Sequence, residues 1–288
     1  MAISPFRAAP FRLSLPHKPL SGVVFASPHS GRDYPAEFLR RTVLDAAQVR
    51  SSEDAFVDQL LESAAEQGAP LLAATAPRAW LDLNRGADEL DPALIEGLRV
   101  QHLNPRVSAG LGVIPRVVAA GRQIYSGKIS RAEAEARIES VWRPYHAELA
   151  RLLEAARTRF GQAILIDVHS MPHEALEQMG PDRPEIVLGD RYGASAGGAV
   201  MAAIEAAFTA EGLRVSRNAP FAGAYITQTY GRPSHNRHAV QVEIDRALYM
   251  DERRVRRSAD FDAFAEAMRR IVGRICHIAR AEGALAAE

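Results

Sequence analysis

The chain has a single cysteine, Cys276, so no internal disulfide is possible and a reducing cytoplasm is the expected setting. No apolar run approaches the ~20 residues needed to span a bilayer. The opening stretch, MAISPFRAAPFRLSLPHKPL, is broken by four prolines and lacks a signal-peptide apolar core. Charge of either sign is not in excess, with 35 basic against 35 acidic residues, which leaves no electrostatic footprint for nucleic acid and no polybasic membrane anchor. Two common chemical signatures are missing as well: the GxxxxGK[ST] phosphate loop and the GxGxxG dinucleotide turn. A small neutral or anionic molecule is the partner these absences leave.

What is present is a pair of apolar runs that each release a histidine. Ala163 to Val168 is apolar except for Asp167, as expected of a strand buried on both faces of a largely parallel sheet, and His169 and Ser170 follow at its carboxyl end. Gly22 to Ala26 repeats the design and ends in SPHSG, which delivers His29. In open α/β sheets the crevice beyond the strand carboxyl ends is the usual ligand site. Each histidine taken alone also reads as an ordinary hydrogen-bonded loop residue; their matching placement suggests one shared site and leaves metal binding and ordinary hydrogen bonding evenly open.

At 288 residues the chain is long enough for one large α/β domain, expected over 21–288, preceded by an irregular Pro-rich lead-in over 1–20. From Ser51 onward Phe56, Val57, Leu60, Leu61 and Ala64 recur at helical spacing, with Gly68 as the stop. Short strands are expected over Ala69–Thr75 and Trp80–Leu83, then a long irregular excursion over Asp88–Arg122 with extended pieces near Val113–Val118. Ser130 with Glu133 opens a capped helix that reaches about Arg157, kinked at Pro144. Further strands are expected at Glu185–Leu188, Leu213–Ser216 and Ala239–Ile244, with helices over Gly198–Phe208 and Phe261–Ala279, the last carrying Cys276 as inert packing. Strands alternating with helices predict a three-layer α/β/α sandwich with a mostly parallel mixed sheet.

A catalytic zinc takes three protein ligands of His and carboxylate type and keeps a fourth position open. His29 and His169 supply two, and Ser51-Ser52-Glu53-Asp54 is the nearest source of a carboxylate; the same acids also read as a helix cap. Glu243 lies within a strand, where an unpaired charge is costly, so it is either paired, with Arg246 or another basic neighbour, or used as a general base. Asn84 and Arg85, with Arg78 upstream, are candidates for gripping a carboxylate; the arginines also read as surface ion pairs. Arg116, Tyr225, Thr227 and His235 are further polar loop residues and candidates for a pocket lining. His169 and His173 have the spacing of a helical metal pair, but Pro172 between them argues against a helix.

Taken in order, SPHSGRDYP, SSEDAFVDQL, PRAWLDLNR, GLGVIPR with IYSGKIS, WRPYHAEL, LIDVHSMP and HAVQVEIDRALYM resemble the N-formylglutamate amidohydrolase family, from about Val23 to Met250. The resemblance implies a hydrolase fold of the phosphorylase/hydrolase-like, zinc exopeptidase type. It implies hydrolysis of an N-formyl or N-acyl amide on an acidic amino acid, N-formyl-L-glutamate giving formate and L-glutamate at the end of histidine breakdown. By the same resemblance His29 and His169 are zinc ligands and Asp54 is the third, with Glu53 its close competitor. Asn84 and Arg85 resemble the pair that would hold a substrate carboxylate and Glu243 the general base, while Arg78 and Arg116 are added as further carboxylate anchors from the reading of the residues alone. One departure from the wider carboxypeptidase-like group is visible: its His-x-x-Glu ligand motif has no counterpart in SPHSGRD, where Asp33 is the nearest acid. An amidase for another N-acyl amino acid or small peptide, and a metal-free protein binding acidic metabolites, are the alternative readings.

Overall fold

A computed structural model describes residues 9–99, 104–180 and 182–280. Its centre is a seven-stranded sheet in the order β1-β3-β2-β4-β7-β5-β6, where β1 is Phe11–Ser14, β2 Val23–Ser27, β3 Leu71–Ala74, β4 Ala163–Met171, β5 Ile186–Gly189, β6 Val215–Arg217 and β7 Arg237–Asp245. The run β3-β2-β4-β7 is parallel, β1 is antiparallel to β3 and β5 to β7. Every residue of β2 and β4 is buried, which is why Val23–Ala26 and, apart from Asp167, Ala163–Val168 read as apolar runs.

Alternation along the strands divides the core in two. Val23, Phe25, Ile164, Ile166 and Val168 pack against Val57–Leu60, Gly198–Thr209 and the closing helix Phe261–Ile278, in which Cys276 is fully buried. Val24, Ala26 and Leu165 face the other way, onto Tyr145, Leu149, Leu152 and Leu153 of the helix Arg143–Phe160. The result is the three-layer sandwich with a mostly parallel mixed sheet. Emptying one such contact, Leu149→Ala for instance, removes buried volume worth about 2–5 kcal/mol.

Several elements differ from the sequence expectation. Residues 1–8 of the lead-in lie outside the described residues, but Phe11–Ser14 is a regular edge strand paired with β3. The helix expected after Ser51 cannot begin before Val57, because Phe56 adopts a left-handed φ of 67°, and it consists of a single turn, Val57–Leu60, followed by a 3₁₀ turn, Glu62–Ala64. Around Val113–Val118 pairing is limited to an isolated bridge, Val117 with Gln123. Ser130 caps the next helix through the Glu133 backbone N–H. Pro144 is accommodated by a π-turn, Ile138–Trp142, that joins Arg131–Arg137 to Arg143–Phe160. Trp80–Leu83 forms turns, with no strand pairing.

Parallel strands put their carboxyl ends along one edge, and this is what assembles the site. The loop after β2 carries His29, the segment after β3 carries Asp82, Asn84 and Arg85, the end of β4 carries His169, and Glu243 sits opposite His169 in register on β7. Gly31 lets two of these segments touch: a Cβ there would stand 2.0 Å from the Ala76 carbonyl oxygen.

Candidate metal centre

His29 and His169, from neighbouring strands, approach through the same ring atom, Nδ1, at 3.0 Å. Asp54 Oδ2 joins them, 3.0 Å from His169 Nδ1 and 3.4 Å from His29 Nδ1. All three side chains are buried. Asp54 reaches this point because its backbone N–H bonds to the His29 carbonyl, and its other oxygen, Oδ1, accepts from Ser170 Oγ and the Arg246 guanidinium. Glu53 turns away, held by Arg50 and by the Tyr34 hydroxyl at 2.7 Å. Asp33 is exposed.

The far side of each imidazole is held by a buried carboxylate, His29 Nε2 by Asp82 Oδ1 at 2.8 Å and His169 Nε2 by Asp167 Oδ2 at 3.0 Å. A carboxylate on one ring nitrogen fixes the ring and makes the other nitrogen more basic. Two basic nitrogens and a carboxylate oxygen therefore converge on one point, where they require positive charge. Burial works against the Asp54 carboxylate, yet its hydrogen bonds from His169 and His29 hold its pKa well below the usual range. Burial likewise opposes an imidazolium at His169, but Asp167 and Asp54 raise its pKa well above the ordinary value. A proton satisfies the cluster when nothing else does, and a divalent cation competes for the same place.

Glu243, partly buried, faces the same cavity and accepts from Gln241 Nε2 at 2.8 Å. Burial pushes its pKa up to about 7, against the pull of His169 and with a further rise from Asp54. The ion pair with Arg246 that sequence leaves open does not form, since that guanidinium goes to Asp54 and Glu252.

The cavity holds about 680 Å³, room for a small amino-acid derivative. Arg78 lines it and bonds Asp82 at 3.0 Å. Arg85 lines it too, and its hydrogen bonds go to two backbone carbonyls, of Leu111 and Asn84, rather than to a carboxylate. Asn84 Nδ2 lies 3.2 Å from His169 Nε2, while its Oδ1 accepts from the Ile226 N–H. Arg116 is not brought to the cavity: it pairs with Asp91 at 2.8 Å. Tyr225 packs against Trp142 and His146, Thr227 Oγ1 donates to the Ala224 carbonyl, and His235 is exposed. His173 pairs with Asp245 at 2.7 Å.

Sequence reasoning gave no site role to Asp82, Asp167 and Arg106, the last also on the cavity wall, and set Arg246 beside Glu243 rather than Asp54. Asp167 had a usable signal, because residues i and i−2 share a strand face. Asp82 comes from a segment whose path is set by tertiary contacts.

Comparison with known proteins accounts for most of the chain. A family model described as N-formylglutamate amidohydrolase matches residues 21–250. An N-formylglutamate deformylase from Pseudomonas aeruginosa is 33% identical over 235 residues, 80% of this chain and 82% of that protein. One from Pseudomonas putida is 29% identical, again over 80% and 82% of the two chains. The crystal structure of N-formylglutamate amidohydrolase from Ralstonia eutropha JMP134 is 36% identical and superposes with a TM-score of 0.88, covering 94% of this chain and 99% of that one. The family match runs from just before β2 past the strand of Glu243, and so the chain belongs to the N-formylglutamate amidohydrolase family.

Proposed function

We propose that this protein is a zinc-dependent amidohydrolase that cleaves N-formyl-L-glutamate to formate and L-glutamate. The observation that carries the metal reading is the convergence of His29 Nδ1, His169 Nδ1 and Asp54 Oδ2, which all lie within 3.4 Å of one another. Ligands ~2.05 Å from a tetrahedral zinc stand about 3.3 Å apart, and the pairwise separations of 3.0, 3.0 and 3.4 Å match that spacing. Two His and one carboxylate form a usual catalytic zinc set, with a fourth position left for water or substrate. Support for the substrate comes from the activity named for the relatives and from the arginines on the cavity wall.

His29, His169 and Asp54 would hold the zinc, which when bound would polarise the amide carbonyl and lower the pKa of the attacking water toward ~7. Glu243 takes the proton from that water as its oxygen bonds to the formyl carbon. The carboxyl then returns the proton to the amide nitrogen as the C–N bond breaks, so formate and a free amino group leave. Arg85 and Arg78, with Asn84, orient the glutamate end of the substrate by charge-assisted hydrogen bonds to its carboxylates. Residues 21–288 are read as one catalytic unit acting in the cytoplasm on a small molecule.

Formate release from a panel of N-formyl, N-acetyl and N-succinyl amino acids, assayed with amine release for the latter two, tests the substrate. N-formyl-L-glutamate should be turned over at least about tenfold faster than the others. Preference for an acetyl or succinyl substrate would transfer the activity to a different N-acyl amino acid.

A further inference from the structure

The segment Trp80–Arg85 carries Asp82 and Asn84 into the metal centre without being part of the sheet. Its backbone is tied down by Asp82 N–H to the Val113 carbonyl at 2.8 Å, so the carbonyls along it need partners from elsewhere. Three come from one long helix. Arg137 Nη1 donates to the Trp80 carbonyl at 3.0 Å, His146 Nε2 to the Leu83 carbonyl at 2.9 Å, and Trp142 Nε1 to the Arg85 carbonyl at 2.8 Å.

Residues 137 and 142 are five apart, and in an uninterrupted α-helix they would point in different directions. The π-turn Ile138–Trp142 adds the extra residue that makes a five-residue step cover one turn, while 142 and 146 keep the ordinary four-residue step. The irregularity thus places three donors on a single face. His146 is further fixed by the Tyr230 hydroxyl on Nδ1 at 2.9 Å and by the Trp142 ring, 4.1 Å between centroids. Burial holds its pKa down to about 4, so the ring is neutral and keeps Nε2–H for the Leu83 carbonyl.

We propose that Arg137, Trp142 and His146 are positioning residues: by gripping the backbone on either side of Asp82 they set the carboxylate that orients His29. Leu83 stands between Asp82, which holds His29, and Asn84, which contacts His169, so a shift of its carbonyl moves both. The WRPYH stretch is in this account a strap outside the cavity, and none of the three touches substrate. The role is built on the reading of His29 as a metal ligand, but its direct readout is the ring itself.

The test is proton–nitrogen NMR of the ring nitrogens in metal-free protein, with His29 assigned by substitution, beside zinc affinity measured by competition with a chromophoric chelator. In wild type His29 should show one hydrogen-bonded Nε2–H. His146→Leu should lose that signal and weaken zinc binding about tenfold, whereas His146→Gln, whose amide can still donate to Leu83, should restore both. Trp142→Phe keeps an aromatic side chain while removing the donor and part of the indole; it should give the same change at smaller amplitude and carries the test if His146→Leu does not fold. An unaltered His29 signal in a folded His146→Leu or Trp142→Phe protein, with only a lower Tm, would overturn the proposal. Wild-type protein that binds no zinc would instead refute the metal reading, and the His29 signal would still decide the positioning role.

Discussion

His29 and His169 face each other Nδ1 to Nδ1, while the opposite nitrogen of each ring is held by a buried aspartate. Nitrogens arranged this way gain nothing from one another unless positive charge stands between them. The relationship turns a pair of sequence motifs into a chemical site, and Asp54 completes it.

The third ligand can be told from its neighbour by substitution. Asp54→Asn should weaken zinc binding at least about 100-fold, while Glu53→Gln, whose side chain is engaged with Arg50 and Tyr34, should stay within about twofold. Chelator competition on both variants measures this, and the reverse order would assign the ligand to Glu53.

Carboxylates behind the rings should matter almost as much. Asp82→Asn and Asp167→Asn are each expected to cost about 10–100-fold in zinc affinity with the three ligands untouched. Affinities equal to wild type would mean that the rings are fixed by packing alone.

If Glu243 is the proton acceptor proposed above and not a metal ligand, Glu243→Gln should lower kcat by about 10²–10⁴ and leave one zinc bound. Elemental analysis beside steady-state kinetics separates the two effects. Near-normal turnover would remove Glu243 as the base.

Glu243 also leaves a signature in stability. Its pKa in the folded metal-free protein is about 7, above the ~4.3 of an unfolded glutamate, so the fold binds a proton that the unfolded chain releases. The stabilisation from that proton is fully present below about pH 4 and is lost as pH rises through about 7. Metal-free wild type should therefore lose Tm relative to Glu243→Gln between pH 5 and pH 8. A difference in Tm that stays constant over that interval would contradict the raised pKa.

Among the arginines, Arg85→Ala should raise KM for N-formyl-L-glutamate about 10–100-fold, in line with a lost charge-assisted contact. Arg116→Ala should leave KM within about twofold and lower Tm instead, because its partner is Asp91. A KM effect at Arg116 equal to that at Arg85 would place both on the substrate.

The central strands and both histidines were readable from sequence because a strand buried on two faces has an unmistakable apolar run and its exit is marked by the first polar residues. Trp80–Leu83 misled for a physical reason: Trp80, Leu81 and Leu83 are buried as strand residues would be, but their backbone is secured by side chains of a distant helix rather than by a ladder. The left-handed Phe56 and the pairing of Phe11–Ser14 were equally hidden, since both are set by what they pack or pair against. Arg116 read as a pocket residue from its loop, and only its contact with Asp91 shows otherwise.

Formate release by metal-free protein, followed as zinc is returned, tests the account most directly. The prediction is loss of activity on chelation and recovery in proportion to zinc bound, saturating at about one ion per chain. Undiminished release of formate from N-formyl-L-glutamate by protein shown to contain no metal would contradict it.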